Sequence, residues 1–332
     1  MNIESIAPPA NPNTLETFCT LSAQQMGEQI FGTASETSVW LALEYPYPWG
    51  AKALPESALT DSVKQQLKAW EKTIPGARLQ LIKQRSLPLR ATSVDMIPGQ
   101  SIAFFVSIAQ EARSVTYRFD LAHYQNLLNL ELPEFVRQRC SDLSNEFQPA
   151  FSGAPVKIEC CSDPLFLICT NGKRDRCCAK WGLPVYQAMT EYAGDSVWQT
   201  THTGGHRFAA TLVCLPEGVM YGWVEPEDAQ PLIDAHRAQQ LFRLDRYRGR
   251  SCHVQPAQAA EYYLRTRTGA LGLHDFCLAD AAAVADNRWH IAFQEKATGL
   301  MHKVGLESRR STVPFLGSCV KAPAYIEQFY EV

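Results

Sequence analysis

A chain of 332 residues, 46% apolar, with a formal net charge of −3 and a pI near 6.3, is longer than one hydrophobic core usually serves, so two or three packed units are expected. No Lys/Arg-rich run marks a nucleic-acid or polybasic membrane footprint, and nucleic acid is excluded as the natural partner. No window reaches the ~18 consecutive apolar residues of a membrane span. The first nine residues carry neither the basic nor the apolar region of a signal peptide, so the expected location is the cytosol.

In chain order, residues 1–16 are rich in Pro, Asn and Ser and read as a loose tail. A first helix is expected from 19 to about 31. Ser38-Val-Trp-Leu-Ala-Leu-Glu44 is a strand, stopped by Tyr-Pro-Tyr-Pro-Trp-Gly50. Residues 58–70 carry Val63, Leu67 and Trp70 at helical spacing, and the β-like run 77–82 follows. Residues 101–107 and 114–119 read as a hairpin, and 133–143 as a helix with Pro133 in its first turn. The order strand, helix, strand, strand, strand, helix is that of a thioredoxin-like fold, a parallel βαβ unit followed by ββα.

The same order then repeats. Residues 164–169 form a short apolar strand, 184–193 a helix stopped by Gly194, and 196–200 a brief strand. A hairpin of 208–214 and 219–223 leads to a helix over 226–241, entered through acidic residues that suit its N-terminal dipole. The expected fold class is therefore α/β, with two tandem thioredoxin-like modules over 17–150 and 155–250. A helical and β-rich appendix over 251–332 has helices at 257–266 and 278–286 and a strand at 289–294.

The chemistry concentrates in one stretch. Cys169-Thr-Asn-Gly-Lys-Arg-Asp-Arg-Cys177-Cys178 and Thr201-His202-Thr-Gly-Gly-His206 each follow a predicted strand, and ligand sites in open α/β sheets gather outside the carboxyl ends of strands. Lys173, Arg174 and Arg176 favour thiolate over thiol. Among the 11 cysteines, Cys140, Cys214 and Cys277 read as small buried hydrophobes. Only Cys169, Cys177 and Cys178 fall in a polar, Gly-containing loop.

Three readings of this stretch compete. Cys2His2 zinc suits the His-x3-His spacing, but zinc sites usually space their cysteines by two to four residues. A [2Fe-2S] cluster takes ligands from two loops and spans the eight residues between Cys169 and Cys178 more comfortably. In the third reading there is no metal: the histidines are polar loop residues and Cys169 ends a core strand. Thiol-disulfide chemistry of the Cys-x-x-Cys type has no matching spacing. No hydrolytic triad or carboxylate pair stands out.

These two motifs, Cys-Thr-Asn-Gly-Lys-Arg-Asp-Arg-Cys-Cys (169–178) and Thr-His-Thr-Gly-Gly-His-Arg-Phe-Ala (201–209), resemble the paired signature of the sucrase/ferredoxin-like family. The resemblance extends from Cys19, through Gly32-Thr-Ala and Glu44-Tyr-Pro-Tyr-Pro-Trp-Gly50, to Arg246-Tyr-Arg-Gly-Arg-Ser-Cys252. It implies a thioredoxin-like [2Fe-2S] ferredoxin with ligands Cys169, Cys178, His202 and His206, Cys178 being selected over Cys177 by aligning Arg174-Asp175. An electron carrier working between redox donor and acceptor proteins is then expected. A zinc-stabilised binding module is the runner-up. A thiol-dependent oxidoreductase using Cys177 or Cys178 comes third, and sucrose hydrolysis has only the family's name behind it.

Overall fold

The computed structural model describes residues 18–89, 93–111, 114–141 and 156–332. The predicted tail at 1–16 and the end of the helix expected over 133–143 lie outside the described residues.

The first part of the chain forms α1 (Cys19–Gln25), β1 (Val39–Glu44), α2 (Asp61–Thr73), β2 (Ala77–Lys83), β3 (Ile102–Ala109), β4 (Ser114–Leu121) and α3 (Leu132–Ser141). Val63, Leu67 and Trp70 recur at steps of four and three, which puts them on one face of α2. All three are buried, and Trp70 stacks on Phe104 with centroids 5.9 Å apart. Burial of each such side chain contributes about 1.5–3 kcal/mol, so this face fixes α2 against the sheet.

The second part repeats the order: β5 (Lys157–Cys160), β6 (Leu165–Cys169), α4 (Arg176–Ala193), β7 (Val197–Thr200), β8 (Leu212–Leu215), β9 (Val219–Tyr221), α5 (Ala229–Arg237) and β10 (Tyr247–Arg250). The two parts are not separate layers. All ten strands join one curled sheet in the order β10-β9-β8-β6-β7-β2-β1-β3-β4-β5. Within it β1 runs parallel to β2 and antiparallel to β3, as β6 runs parallel to β7 and antiparallel to β8. The halves meet where β2 pairs antiparallel with β7 through Ile82 with Thr200 and Lys83 with Gln199.

Strand β1 is buried on both faces. Because side chains alternate, Val39, Leu41 and Leu43 pack with α2, while Trp40 and Ala42 join Leu165, Leu167, Trp198 and Val213 in a core shared by both halves. The curl thus makes the halves interdependent.

Besides the first helix, which ends at Gln25 rather than near 31, three expectations need correcting. The helix predicted at Pro184 begins at Arg176, because Asp175 caps it by accepting the Cys177 N–H at 3.0 Å; Pro184 lies inside α4. The Ala-rich run 278–286 is β11 (Phe276–Ala285), not a helix. Its alanines favour helix, but Asp286-Asn287 turns the chain back and pairs it antiparallel with β12 (Arg288–Glu295). Third, the strand expected over 208–214 starts only at Leu212. The helix expected over 257–266 is α6 (Gln255–Thr268), which covers a four-stranded sheet of β11, β12, β13 (Met301–Arg310) and β14 (Glu327–Glu331).

Candidate metal centre

Cys169 is the last residue of β6, 1% exposed, with its N–H bonded to the Thr211 carbonyl at 3.0 Å. The next residues turn through bonds from Arg174 and Asp175 to the Asn171 carbonyl, and Asp175 then starts α4. Cys178 is therefore in the first helical turn rather than in a loop. The helix returns directly over the strand end: a Cβ at Gly182 would collide with the Cys169 carbonyl oxygen. Only glycine allows that approach.

The histidine loop leaves β7 in the same direction. Gly204 and Gly205 hold φ of +105° and +76°, conformations that side-chain-bearing residues rarely adopt. Within this turn His202 and His206 stack, with ring centroids 3.7 Å apart and planes 15° from parallel. His206 Nδ1 lies 3.3 Å from Cys178 Sγ. Ligand atoms of Cys169, Cys178 and His202 all lie within 4.8 Å of one another. The two thiols and two imidazoles singled out in the sequence are thus gathered at one place.

Their protonation suits ligation. The hydrogen bond from Cys178, assisted by His202, holds the Cys169 thiol well below its usual range against the cost of burial. The shared proton stays on Cys178, whose thiol is pushed up by that bond and then by burial. Burial, followed by the charge of His202, brings His206 down to about 3, so its imidazole is neutral near pH 7. One sulfur anion and a neutral imidazole are good donors to a soft or borderline cation.

The first half of the chain holds the histidine loop, which no spacing in the sequence revealed. Arg78 on β2 donates to the His202 carbonyl at 3.0 Å, and Ser35 Oγ donates to the Thr203 carbonyl at 2.7 Å. Thr201 Oγ1 donates to Gln80 Oε1 at 2.8 Å, and Thr20 Oγ1 to the His206 carbonyl at 3.1 Å. From the other side Arg248 on β10 donates to the Gly204 carbonyl at 2.9 Å and to Thr33. Burial, then the neighbouring Arg207 and Arg78, lowers Arg248 to about 9. It remains a cation near neutral pH, and with Arg78 it makes the surroundings of Cys169 electropositive. In the sequence Arg248 stood out only as part of the Arg246-Tyr-Arg-Gly-Arg-Ser-Cys252 stretch of the family resemblance, with nothing to link it to the histidine loop. A cavity of about 300 Å³, lined by Lys52, Glu71, Arg78, Arg174 and others, opens beside the half-buried His202.

Cys177 turns elsewhere. Its Sγ lies 3.4 Å from Cys19 Sγ and 3.2 Å from Cys319 Sγ, so the two adjacent cysteines of α4 serve different neighbourhoods. Of the cysteines expected in the core, Cys214 is fully buried, while Cys140 and Cys277 are partly so.

Residues 30–249 match the family described as Sucrase/ferredoxin-like. Altered inheritance of mitochondria protein 32 from Meyerozyma guilliermondii is 31% identical over 159 residues, 44% of this chain and 56% of that relative. The chain thus spans about half the length of this curated relative. No solved structure matches.

Proposed function

The chain belongs to the sucrase/ferredoxin-like family, and on that premise we propose that it is an electron-transfer protein whose Cys169, Cys178, His202 and His206 hold a [2Fe-2S] cluster. The observation that carries this reading is the convergence of one thiol pair, from the end of β6 and the first turn of α4, and one imidazole pair, from the loop after β7. A pair for each iron is the donor set of a two-thiolate, two-imidazole cluster. Such a cluster supplies reversible one-electron chemistry. The protein's part is to present His206 neutral and Cys169 anionic, to fix the histidine loop through Arg78 and Arg248, and to leave His202 partly open to water and partners. Each half of the curled sheet is read as a thioredoxin-like module, 17–150 and 155–250, with 251–332 as an appendix. The repeated order of a parallel pair flanked by antiparallel strands supports that reading.

Imidazoles in place of thiolates remove negative charge from the oxidised cluster and make reduction easier. By analogy with Rieske centres, the potential is expected within about −150 to +300 mV. The partners are redox proteins, and the location is the cytosol. The eleven free cysteines suit that reducing compartment. Fractionation of the native protein into mitochondria would overturn that placement.

A second reading has its own observation. The donor atoms of Cys169, Cys178 and His202, within 4.8 Å of one another, with His206 Nδ1 3.3 Å from Cys178 Sγ, are compact enough for a single tetrahedral zinc. Iron, acid-labile sulfide and zinc in anaerobically purified protein separate the two. About two irons and two sulfides per chain are expected. Zinc bound by these four residues, with iron and sulfide absent even after reconstitution, would overturn electron transfer.

A further inference from the structure

Beside this centre lies a second group of soft ligands, assembled from three distant parts of the chain. Cys19 opens α1, Cys177 is in the first turn of α4, and Cys319 follows Ser318 in a turn near β14. Their sulfurs form a nearly equilateral triangle: 3.4 Å from Cys19 to Cys177, 3.2 Å from Cys177 to Cys319 and 3.6 Å from Cys319 to Cys19. Asp175 completes the group, with Oδ1 3.9 Å from Cys19 Sγ. All four ligand atoms lie within 4.8 Å of one another.

We propose that Cys19, Cys177 and Cys319, with Asp175, form a second metal site that takes one zinc ion. Three arguments carry this. Apolar packing accounts for one buried cysteine at a time, but not for three sulfurs in mutual contact around a carboxylate. Next, the triangle is close to the right size: Zn–S bonds of about 2.3 Å in a tetrahedron set sulfur separations of about 3.8 Å. The sulfurs need to move outward by only a few tenths of an ångström.

The third argument is the shell around them. Cys19 and Cys177 are fully buried and Asp175 is 2% exposed. Phe18, Trp181, Ala209 and Leu316 pack around the sulfurs. Asp175 is already oriented, accepting from the N–H groups of Cys177 at 3.0 Å and Cys319 at 2.8 Å and from Ser318 Oγ at 2.9 Å. Such outer bonds aim a carboxylate ligand. Binding as three thiolates releases the thiol protons and leaves a complex of net charge −2, which the neighbouring Arg176 and Lys180, lying 4.5 and 4.2 Å from the Phe18 ring centroid, offset in part. Cys19 and Cys319 lie outside the family-matched residues 30–249, so this site is additional to the four-ligand centre. It would tie the C-terminal turn to α1 and to the helix that carries Cys178.

The test is zinc content of the full chain, purified anaerobically and dialysed against zinc, then against buffer. Three forms are compared: the native protein, Cys19→Ser/Cys319→Ser, and Cys169→Ser/His202→Ala, which damages only the first centre. The expected result is that Cys169→Ser/His202→Ala keeps about one zinc per chain, while Cys19→Ser/Cys319→Ser has one zinc fewer than the native protein and an unchanged visible spectrum. The comparison holds whether the first centre carries a cluster or zinc, so failure of that reading and failure of this one give different patterns. Equal zinc in the native and Cys19→Ser/Cys319→Ser proteins would overturn the proposal. So would peptide mapping that finds two of the three cysteines joined as a disulfide in the anaerobic preparation. If the double variant does not fold, cobalt added to Cys169→Ser/His202→Ala is expected to give the intense thiolate-to-cobalt bands of a tetrahedral site, lost in the same protein carrying Cys319→Ser as well. Absence of those bands would also sink the idea.

Discussion

Arg248 donates from Nη1 to the carbonyl of Gly204 at 2.9 Å, so a guanidinium on the tenth strand of the sheet holds the turn between the two candidate histidine ligands. The same side chain bonds Thr33, tying that turn to the segment before β1. Replacement by alanine leaves three partly buried acceptors, the Gly204 carbonyl and the Thr33 carbonyl and hydroxyl, without this donor, at up to about 1–3 kcal/mol for each group left unsatisfied. Arg248→Ala is expected to lower unfolding free energy by on the order of 3 kcal/mol and to speed loss of metal. Urea denaturation and metal-release kinetics measure the two. An unchanged release rate would remove Arg248 from the support of the histidine loop.

Cys177 and Cys178 are adjacent but face different partners, and serine separates them. Cys178→Ser is expected to abolish the visible absorption of the reconstituted protein, while Cys177→Ser keeps its band positions. Loss of the chromophore in Cys177→Ser alone would reverse the ligand assignment.

Helix α4 reaches the end of β6 only because residue 182 is glycine. In Gly182→Ala the new methyl meets the Cys169 carbonyl, and overpacking of this kind costs about 1–3 kcal/mol. The substitution should destabilise the fold and shift the visible spectrum, since it separates the strand bearing Cys169 from the helix bearing Cys178. A destabilised protein with a native spectrum would limit the effect to packing.

On the proposed cluster reading, imidazole ligation gives the midpoint potential a pH dependence. An imidazole N–H that is lost from the oxidised form makes reduction harder as pH rises. The midpoint potential is expected to be flat below the oxidised-state imidazole pKa and to fall above it by up to about 59 mV per pH unit for one electron and one proton. Voltammetry from about pH 6 to about pH 10 tests this. A flat profile would argue against histidine ligation exposed to water.

Glu261 anchors α6 by accepting from Arg265 Nε at 2.9 Å and Tyr247 Oη at 2.8 Å, with Arg250 Nε 3.3 Å away. Burial opposes its ionisation, but Arg250, Arg265 and His253 outweigh burial and hold the carboxyl well below its usual range. This depressed pKa contributes stability that is present above the unfolded value of about 4.3 and is lost as pH falls through the folded value. Burial also opposes protonation of His253, but Cys252, Glu111 and Glu261 hold its imidazole well above the usual range. That stabilisation is complete below about pH 6.5 and is lost as pH rises through the raised value. Glu261→Gln is expected to cost about 3–5 kcal/mol near pH 7, because it strands two buried guanidiniums. Urea melts across pH should show the gap between native and variant shrinking on the acid side.

Much of this protein is legible from local pattern. The period-three-and-four spacing of Val63, Leu67 and Trp70 specifies α2, the apolar runs specify β1 and β6, and the Cys-x8-Cys and His-x3-His spacings mark the four candidate ligands. Each of these signals lies within a few turns or one loop, where side-chain period and backbone preference act directly. Where the pattern misled, at 278–286, alanine's helix preference was overridden by a partner strand that no local window contains.

The tertiary structure decided the rest. It joined the two repeated halves through β2 and β7 into one sheet, turned Cys178 toward Cys169 and Cys177 toward Cys19 and Cys319, and brought Arg78 and Arg248 to the backbone of the histidine loop. Those contacts link residues 44 to 300 positions apart in sequence. Their existence depends on how the sheet curls and how closely α4 returns over β6, which are properties of packing between elements and leave no period in the chain.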